Sequence, residues 1–462
     1  MTTRHLLITG ARRADVDPPE PVDLLVTGET IAAVAPAGTI TPPAGAEVVE
    51  AAGLWLLPGG VDPHVHFGMP LRDGIASRGW ADSSRAAVLG GTTTVVDFAN
   101  PEPCEPLPRA VARWQAAARD TCLCDLALHV TVTDDRDERL AEIAALAGGG
   151  LPTFKAFLAY KGRLMLRPEQ MRRVMAAVRD AGGRLLLHAE DGELNAAVER
   201  RLLDTGRIGP EWHPAAHPPE SEIAAMGTGL ELAAETGCPL TIVHLSTAGG
   251  LARIRAARQA GRDVRAEVTI QHLLLTDDWY RAGFDQALAA ILSPPLRSAA
   301  DTAALRAALT DGGVDWIATD HCEFSLAIKC REAAGGFPAV PNGAAGVGER
   351  LLVTYTELVV PGHLSPAAWV NLCCTAPARF AGLGDRKGRL APGLDADLVL
   401  FDPEAAGTRL PVNADHSLWA GDHWRGAVRH VWRRGTALVR DGRLVPAAEP
   451  GRFLERSLHS GK

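Results

Sequence analysis

Six side chains in this chain carry metal-binding or acid–base chemistry, and each stands within or at the end of an apolar run. His64 and His66 lie in "PGGVDPHVHF" (58–67), Lys155 in "TFKAFL", His188 in "RLLLHAE", His244 in "PLTIVHLS" and Asp320 in "DWIATDH". On a strand, residues two apart point to the same face, so His64 and His66 would face one ion together. Any two alternating polar residues would do the same, and the pair alone decides nothing. A polar side chain inside an apolar strand, however, costs on the order of several kcal/mol unless it is paired or bound to metal. Separate core histidines would each need a private partner, whereas one shared metal site satisfies all of them. Lys155 is the odd member, because an ammonium has no lone pair and repels a cation. Carboxylated on its nitrogen by CO2, it becomes an anion whose two oxygens can bridge two metals. The competing reading is a lysine paired with a neighbouring carboxylate.

Those runs need a scaffold that brings them to one place. From Pro58 to about Asp320, short β-branched runs alternate with Ala/Leu/Arg-rich stretches of helical spacing, such as "ERLAEIAALAGG" and "PEQMRRVMAAVRDAGG", that end in Gly. The runs number eight, which predicts an α/β fold of the TIM-like (β/α)8 barrel type. No GxGxxG opens a first helix, as the open-sheet alternative would suggest. In such a barrel the six chemical residues share the C-terminal rim, where barrel active sites lie. Both chain ends read differently, as short strands broken by Gly and Asp turns. They are expected to combine into one small β-sandwich. The expected division is residues 1–57 and 388–462 for the sandwich and tail, and 58–387 for the barrel.

Composition narrows the function classes. The chain has 462 residues, 47% hydrophobic and 22% charged, with a net charge of −8. That is globular in composition and lacks the basic footprint of a nucleic-acid binder. No run approaches ~20 apolar residues, so no membrane partner is expected. "MTTRHLLITGARR" has no apolar core or cleavage pattern of a leader, and the eight scattered cysteines lack zinc-knuckle spacing. A cytoplasmic, reduced protein is expected.

Taken together, "PGGVDPHVHF", "GGTTTVVDFANP", "FKAFLAYKG", "LLLHAEDGE", "IVHLS", "LSPPLR", "ATDHCEF", "PNGAAGVGERL" and "KGRLAPGLDADLVLFDP" make the chain resemble the cyclic amidohydrolases of the amidohydrolase superfamily. The likeness is greatest to the dihydropyrimidinase/hydantoinase branch and runs from the first strands to about residue 450. It implies a hydrolase that opens the cyclic amide of a hydantoin or dihydropyrimidine to an N-carbamoyl amino acid. Carried over position by position, His64, His66 and Asp320 would hold one divalent ion, His188 and His244 a second, and carboxylated Lys155 would bridge them. Zinc is the expected metal, though such ligands also accept manganese, cobalt or iron. Asp320 would be the general base and then acid. Tyr160 would hydrogen-bond the carbonyl under attack, and Ser293 and Asn342 would bind the ring's amide edge, largely through backbone groups. Met69, Phe157 and Leu164 are candidates to meet the exocyclic group. On the residues alone, Tyr160 could equally pack at the rim, Pro-Asn-Gly is a good turn anywhere, and the three apolar residues could be ordinary core. The resemblance further implies a homo-oligomer, with a tetramer favoured.

Some segments depart from that branch. "IVHLSTAGG" and "AEVTIQHLLLTDD" read more like allantoinase or dihydroorotase. A dihydroorotase would place Arg directly after the Phe67 position to hold a carboxylate. Here Gly68 follows and Arg72 comes later, open between an acid-binding role and a loop arginine. His321 should point away from the metals, Cys322 reads as a filler, and His272 lies nearby. A mononuclear deaminase would lack Lys155, and a non-catalytic relative would have lost ligands.

Overall fold

The eight apolar runs form eight parallel strands in sequence order: β1 (Gly60–Val65), β2 (Thr92–Ala99), β3 (Asp125–Thr131), β4 (Thr153–Phe157), β5 (Arg184–His188), β6 (Leu240–Ile242), β7 (Val264–Thr269) and β8 (Trp316–Ala318). They come from a computed structural model that describes residues 4–72, 74–408, 415–446 and 448–458. β2 and β3 are buried at every residue, as expected of parallel strands covered on both faces. Helices follow the strands, among them Trp80–Leu89 after β1, Leu107–Ala118 after β2, Asp137–Gly148 after β3 and Pro168–Asp180 after β4.

The sheet closes on itself between its last and first strands. Val65 pairs with His321 in a parallel bridge, and the Thr319 hydroxyl donates to Asp62 Oδ2 at 2.7 Å. The buried Arg350 guanidinium donates to the carbonyls of Val61 (2.8 Å) and Ile317 (2.9 Å), one on each side of the seam. His66 N–H donates to His321 O at 2.8 Å. The structure is therefore a (β/α)8 barrel, and its seam lies directly beneath two of the chemical residues.

The chain ends meet in a separate nine-stranded sheet. Strands from His5–Arg13 to Trp55–Pro58 supply one half, and Leu398–Thr408 to Arg443–Leu444 the other. The halves join where Trp55–Pro58 pairs antiparallel with Leu398–Phe401. This sheet has its own small core of Leu6, Ile8, Leu24, Leu56, Leu398 and Trp432. Residues 459–462 of the expected C-terminal unit lie outside the described residues. After the sheet, the tail returns to the barrel: Leu126 N–H donates to Arg452 O, and Leu454 N–H to Leu126 O. A Cβ at Gly451 would stand 1.8 Å from the Cys124 carbonyl oxygen, so this approach requires glycine.

A buried ionic cluster ties the barrel's N-terminal end to the end sheet. The Lys387 ammonium lies 2.7 Å from Asp125, 2.8 Å from Asp397 and 3.1 Å from Asp395. Arg434 also pairs with Asp125.

Candidate active site

At the opposite, C-terminal rim, the six chemical residues come from five strands. His64 is within β1 and His66 just past its end, Lys155 is central in β4, and His188 closes β5. His244 and Asp320 each stand two residues beyond their strands, β6 and β8. All six are buried or nearly so. His64 Nε2 and His66 Nε2 both lie 3.1 Å from Asp320 Oδ1. Ligand atoms of these three residues all fall within 4.8 Å of one another. Ring centres run on from His66 to His64 (5.2 Å), to His244 (5.6 Å) and to His188 (4.5 Å). The histidines thus form one continuous cluster.

Lys155 Nζ stands 5.1 Å from the ring centre of Phe98 and 5.2 Å from that of Phe157. Among the described residues it makes no ion pair within 4 Å. Burial lowers its pKa to about 8, against the opposing pull of Asp320 and Glu267. This raises the share of uncharged amine, the form that adds CO2. Burial likewise lowers His66, His188 and His244. His64 differs: burial opposes its charge, but the carboxylates of Glu267 and Asp320 outweigh it and raise it to about 9. Burial would raise Asp320, yet the charges and hydrogen bonds of His64 and His66 hold it well below the usual carboxylate range. His66, His188 and His244 are thus neutral beside an ionised Asp320, as ligands of a divalent cation must be, and His64 would release its proton on binding one.

The donor set fits such ions on a further count. Among the described residues, His66 Nδ1 and His244 Nδ1 are buried with no hydrogen-bond partner. Buried nitrogens are normally satisfied, and the His244 ring, set between those of His64 and His188, keeps the capacity to bind an ion. Imidazole with carboxylate suits zinc and its first-row neighbours.

Two carboxylates that the sequence reading passed over orient the histidines. Glu267 on β7 accepts from His64 Nδ1 at 2.6 Å, His244 N–H at 3.2 Å and Trp316 Nε1 at 2.9 Å. Glu190 accepts from His188 Nε2 at 2.6 Å, His217 Nδ1 at 2.9 Å and Ser293 Oγ at 2.6 Å. A carboxylate on one ring nitrogen fixes the tautomer and aims the other nitrogen. Asp97 on β2 accepts from the backbone N–H of Phe67 at 2.7 Å, just after His66. Phe98 stacks under the cluster, 4.8 Å from His66 and 4.5 Å from His64. The signal was present for Asp97 and Glu267, since both are charged residues inside apolar runs, "TVVDFA" and "RAEVT".

The backbone is strained at the same rim. Only six described residues other than glycine have positive φ, and three are Tyr160 (62°), His244 (39°) and Asp320 (49°). Such conformations cost of order 1–3 kcal/mol each and tend to gather at functional sites.

The expected substrate contacts are less concentrated. The Tyr160 ring lies 5.1 Å from His188 and 5.8 Å from Phe157, and Phe157 lies 5.5 Å from His188. Burial, reinforced by the charge of Glu190, pushes the Tyr160 phenol up against the opposing contact with Ser293, so it stays protonated. The Ser293 hydroxyl is committed to Glu190, which leaves its backbone to face a ligand. Asn342 is half-buried on the loop after β8. Met69 packs at the edge of a cluster of Ile75, Cys322 and Phe324, and Leu164 lies half-buried on the turn after Tyr160. Cys322 is thus a packing residue. His321 Nδ1 accepts from Gly346 N–H at 3.1 Å, and its ring packs on Phe67. His272 Nε2 donates to Pro294 O at 3.0 Å. Arg72 is bound to Glu332 at 3.3 Å and to the Ala339 carbonyl, which occupies its guanidinium within the protein.

Comparison with known proteins agrees with this architecture. The sequence pattern of the amidohydrolase family matches residues 55–438. A D-hydantoinase of Streptomyces coelicolor is 33% identical over 442 residues, covering 94% of each chain. A D-phenylhydantoinase of Escherichia coli is 33% identical over 424 residues, 90% of this chain and 91% of the other. The crystal structure of dihydropyrimidinase from Brevibacillus agri superposes with a TM-score of 0.95 at 31% identity, covering 99% of this chain and 100% of the other. The chain belongs to the amidohydrolase family, on its hydantoinase and dihydropyrimidinase branch.

Proposed function

We propose that this protein is a binuclear metal-dependent hydrolase that opens the ring of a hydantoin or dihydropyrimidine at an amide C–N bond, releasing an N-carbamoyl amino acid. The observation that carries this is the meeting of four histidines, Asp320 and a buried Lys155, without an ion pair among the described residues, at one barrel rim. His64, His66 and Asp320 would hold one ion, His188 and His244 the other, with Lys155 carboxylated between them. Zinc is the metal we assign. When bound, two such cations acidify water and polarise a carbonyl.

The chain's own groups do the rest. Asp320, ionised and at the centre of the cluster, accepts the proton of the attacking water and delivers it to the leaving nitrogen. Water's oxygen bonds to the carbonyl carbon, the C–N bond breaks, and the nitrogen leaves as N–H. The Tyr160 phenol, kept protonated by burial, donates to the carbonyl oxygen as it gains charge. The backbone at Ser293 and Asn342 reads the amide edge. Phe157, Met69 and Leu164 would meet the exocyclic group.

Arg72 is committed to Glu332 and Ala339, which disfavours an acidic ring such as dihydroorotate. Allantoin remains the alternative that the "IVHLSTAGG" segment recommends. Eight free cysteines support a reducing, cytoplasmic setting, where we place the protein as a homotetramer. Among the described residues no helix is long and apolar enough to cross a membrane. The test is ring opening by zinc-loaded, bicarbonate-treated protein, followed by ultraviolet loss and mass spectrometry. The panel is hydantoin, 5-substituted hydantoins, dihydrouracil, allantoin and dihydroorotate. Turnover of a hydantoin or dihydrouracil that Lys155→Ala abolishes is expected. Turnover of allantoin alone, or none, would overturn the substrate assignment, and a monomer by light scattering would overturn the tetramer.

A further inference from the structure

Lys329 is wholly buried, has no carboxylate partner among the described residues, and is not used by the chemistry above. It lies on the short helix Leu326–Glu332 that follows β8. Four backbone carbonyls share the three N–H groups of its ammonium: Leu288 (3.1 Å), Ala289 (3.2 Å), Ile291 (3.1 Å) and Gly343 (2.7 Å). The first three lead directly into Ser293, and the fourth belongs to the residue after Asn342. Gly343 N–H also donates to Ile291 O at 2.9 Å, so the two segments are already neighbours. Gly343 has φ 143°, and a Cβ there would meet the Cys322 carbonyl oxygen at 2.2 Å, which fixes the backbone at that point.

Other side chains complete the pattern. Tyr280 donates to Ala290 O at 2.8 Å, His213 to Leu292 O at 2.7 Å and His272 to Pro294 O at 3.0 Å. Every carbonyl from 288 to 294 is thereby held by a buried side chain, except that of Ser293, which accepts no hydrogen bond among the described residues. Burial pulls the Lys329 ammonium down to about 7 from 10.5. An apolar side chain there would avoid that desolvation, so packing alone does not account for a lysine.

We propose that Lys329 is a positioning residue that joins the Ser293 and Asn342 segments, already assigned to the ring's amide edge, into one rigid cradle. The inference deepens the hydrolase reading and rests on it for the identity of the ring. Zinc-loaded wild-type, Lys329→Met and Lys329→Gln proteins are compared in steady-state hydrolysis of the ring the wild type opens, and in amide hydrogen exchange read by mass spectrometry. For Lys329→Met, KM should rise about tenfold or more while kcat changes less than about threefold. Metal content should equal that of wild type, and exchange should quicken in peptides spanning 288–296 and 340–346 but not in β1. Lys329→Gln keeps two donors and should fall between, and it carries the comparison if the methionine variant does not fold. An unchanged KM with unchanged exchange overturns the proposal, as does faster exchange spread over the whole barrel. If wild type opens no ring, the hydrolase reading fails, and localised exchange alone upholds or overturns the cradle.

Discussion

The two ends of the barrel each hold a buried cluster of a lysine and carboxylates, and they are built on opposite principles. At the N-terminal end, Lys387 is closed in by Asp125, Asp395 and Asp397. At the C-terminal end, Lys155 makes no ion pair among the described residues, and its carboxylate neighbour Asp320 is shared by two histidines. Asp125, Asp395 and Asp397 have the spacing of a cation site just as His64, His66 and Asp320 do. A lysine ammonium already occupies the first. Closeness of carboxylates therefore says little about function. What matters is whether the charges close on one another, as in a structural joint, or leave donors aimed at a common centre.

Removing a member of either cluster should separate these roles. The largest effect is expected for Asp320→Ala, which should lower kcat by about 10²–10⁴-fold in zinc-loaded protein and weaken one metal. Metal analysis with steady-state kinetics checks it, and near wild-type turnover would remove Asp320 from the mechanism. Lys387→Met should do the reverse, destabilising the fold by about 3–5 kcal/mol in denaturant titration while the folded fraction keeps its kcat. The same joint has a signature in acid. Burial would raise Asp125, but Lys387 and Arg434 outweigh it and hold its carboxyl far below its ordinary 3.8. A lowered carboxylate contributes stability above its unfolded pKa and loses it as pH falls toward the folded one. Wild type should therefore lose stability below about pH 4, and Lys387→Met should lose less there. Equal acid slopes would show that Lys387 does not hold Asp125. Tyr160→Phe belongs to the catalytic end alone and should cost about 10²–10³-fold in kcat with both metals retained. Arg72→Ala should change KM for a neutral ring less than about twofold, since its guanidinium is bound within the protein. A large loss confined to acidic rings would restore the acid-binding role.

The barrel was legible because its strands are continuous apolar runs interrupted by polar residues, and burial on both faces makes each interruption conspicuous. His188 at the end of "RLLLH" and Lys155 inside "TFKAF" stand out for that reason, and the structure brings both to one rim. Glu267 and Asp97 obeyed the same rule but were missed. Both carboxylates stand inside their runs, not near the end as Asp320 does, and their partners, His64 and the Phe67 N–H, lie far off in sequence. Glu190 follows a strand end, where a charged residue is unremarkable. The carbonyl cage of Lys329 left no trace at all, because backbone acceptors have no sequence signature. The same holds for the pairing of Lys387 with Asp125, which lie 262 positions apart. Composition patterns report which residues are buried, and they do not report which carbonyls those residues reach.

The left-handed backbone at Tyr160, His244 and Asp320 has a consequence for breeding a tougher version of this protein. Glycine or asparagine would sit more comfortably at all three positions. A screen that rewards heat resistance and ignores turnover should therefore be drawn to these sites and yield durable, inert barrels. At these three positions, selection for robustness alone would run directly against the proposed chemistry of the rim.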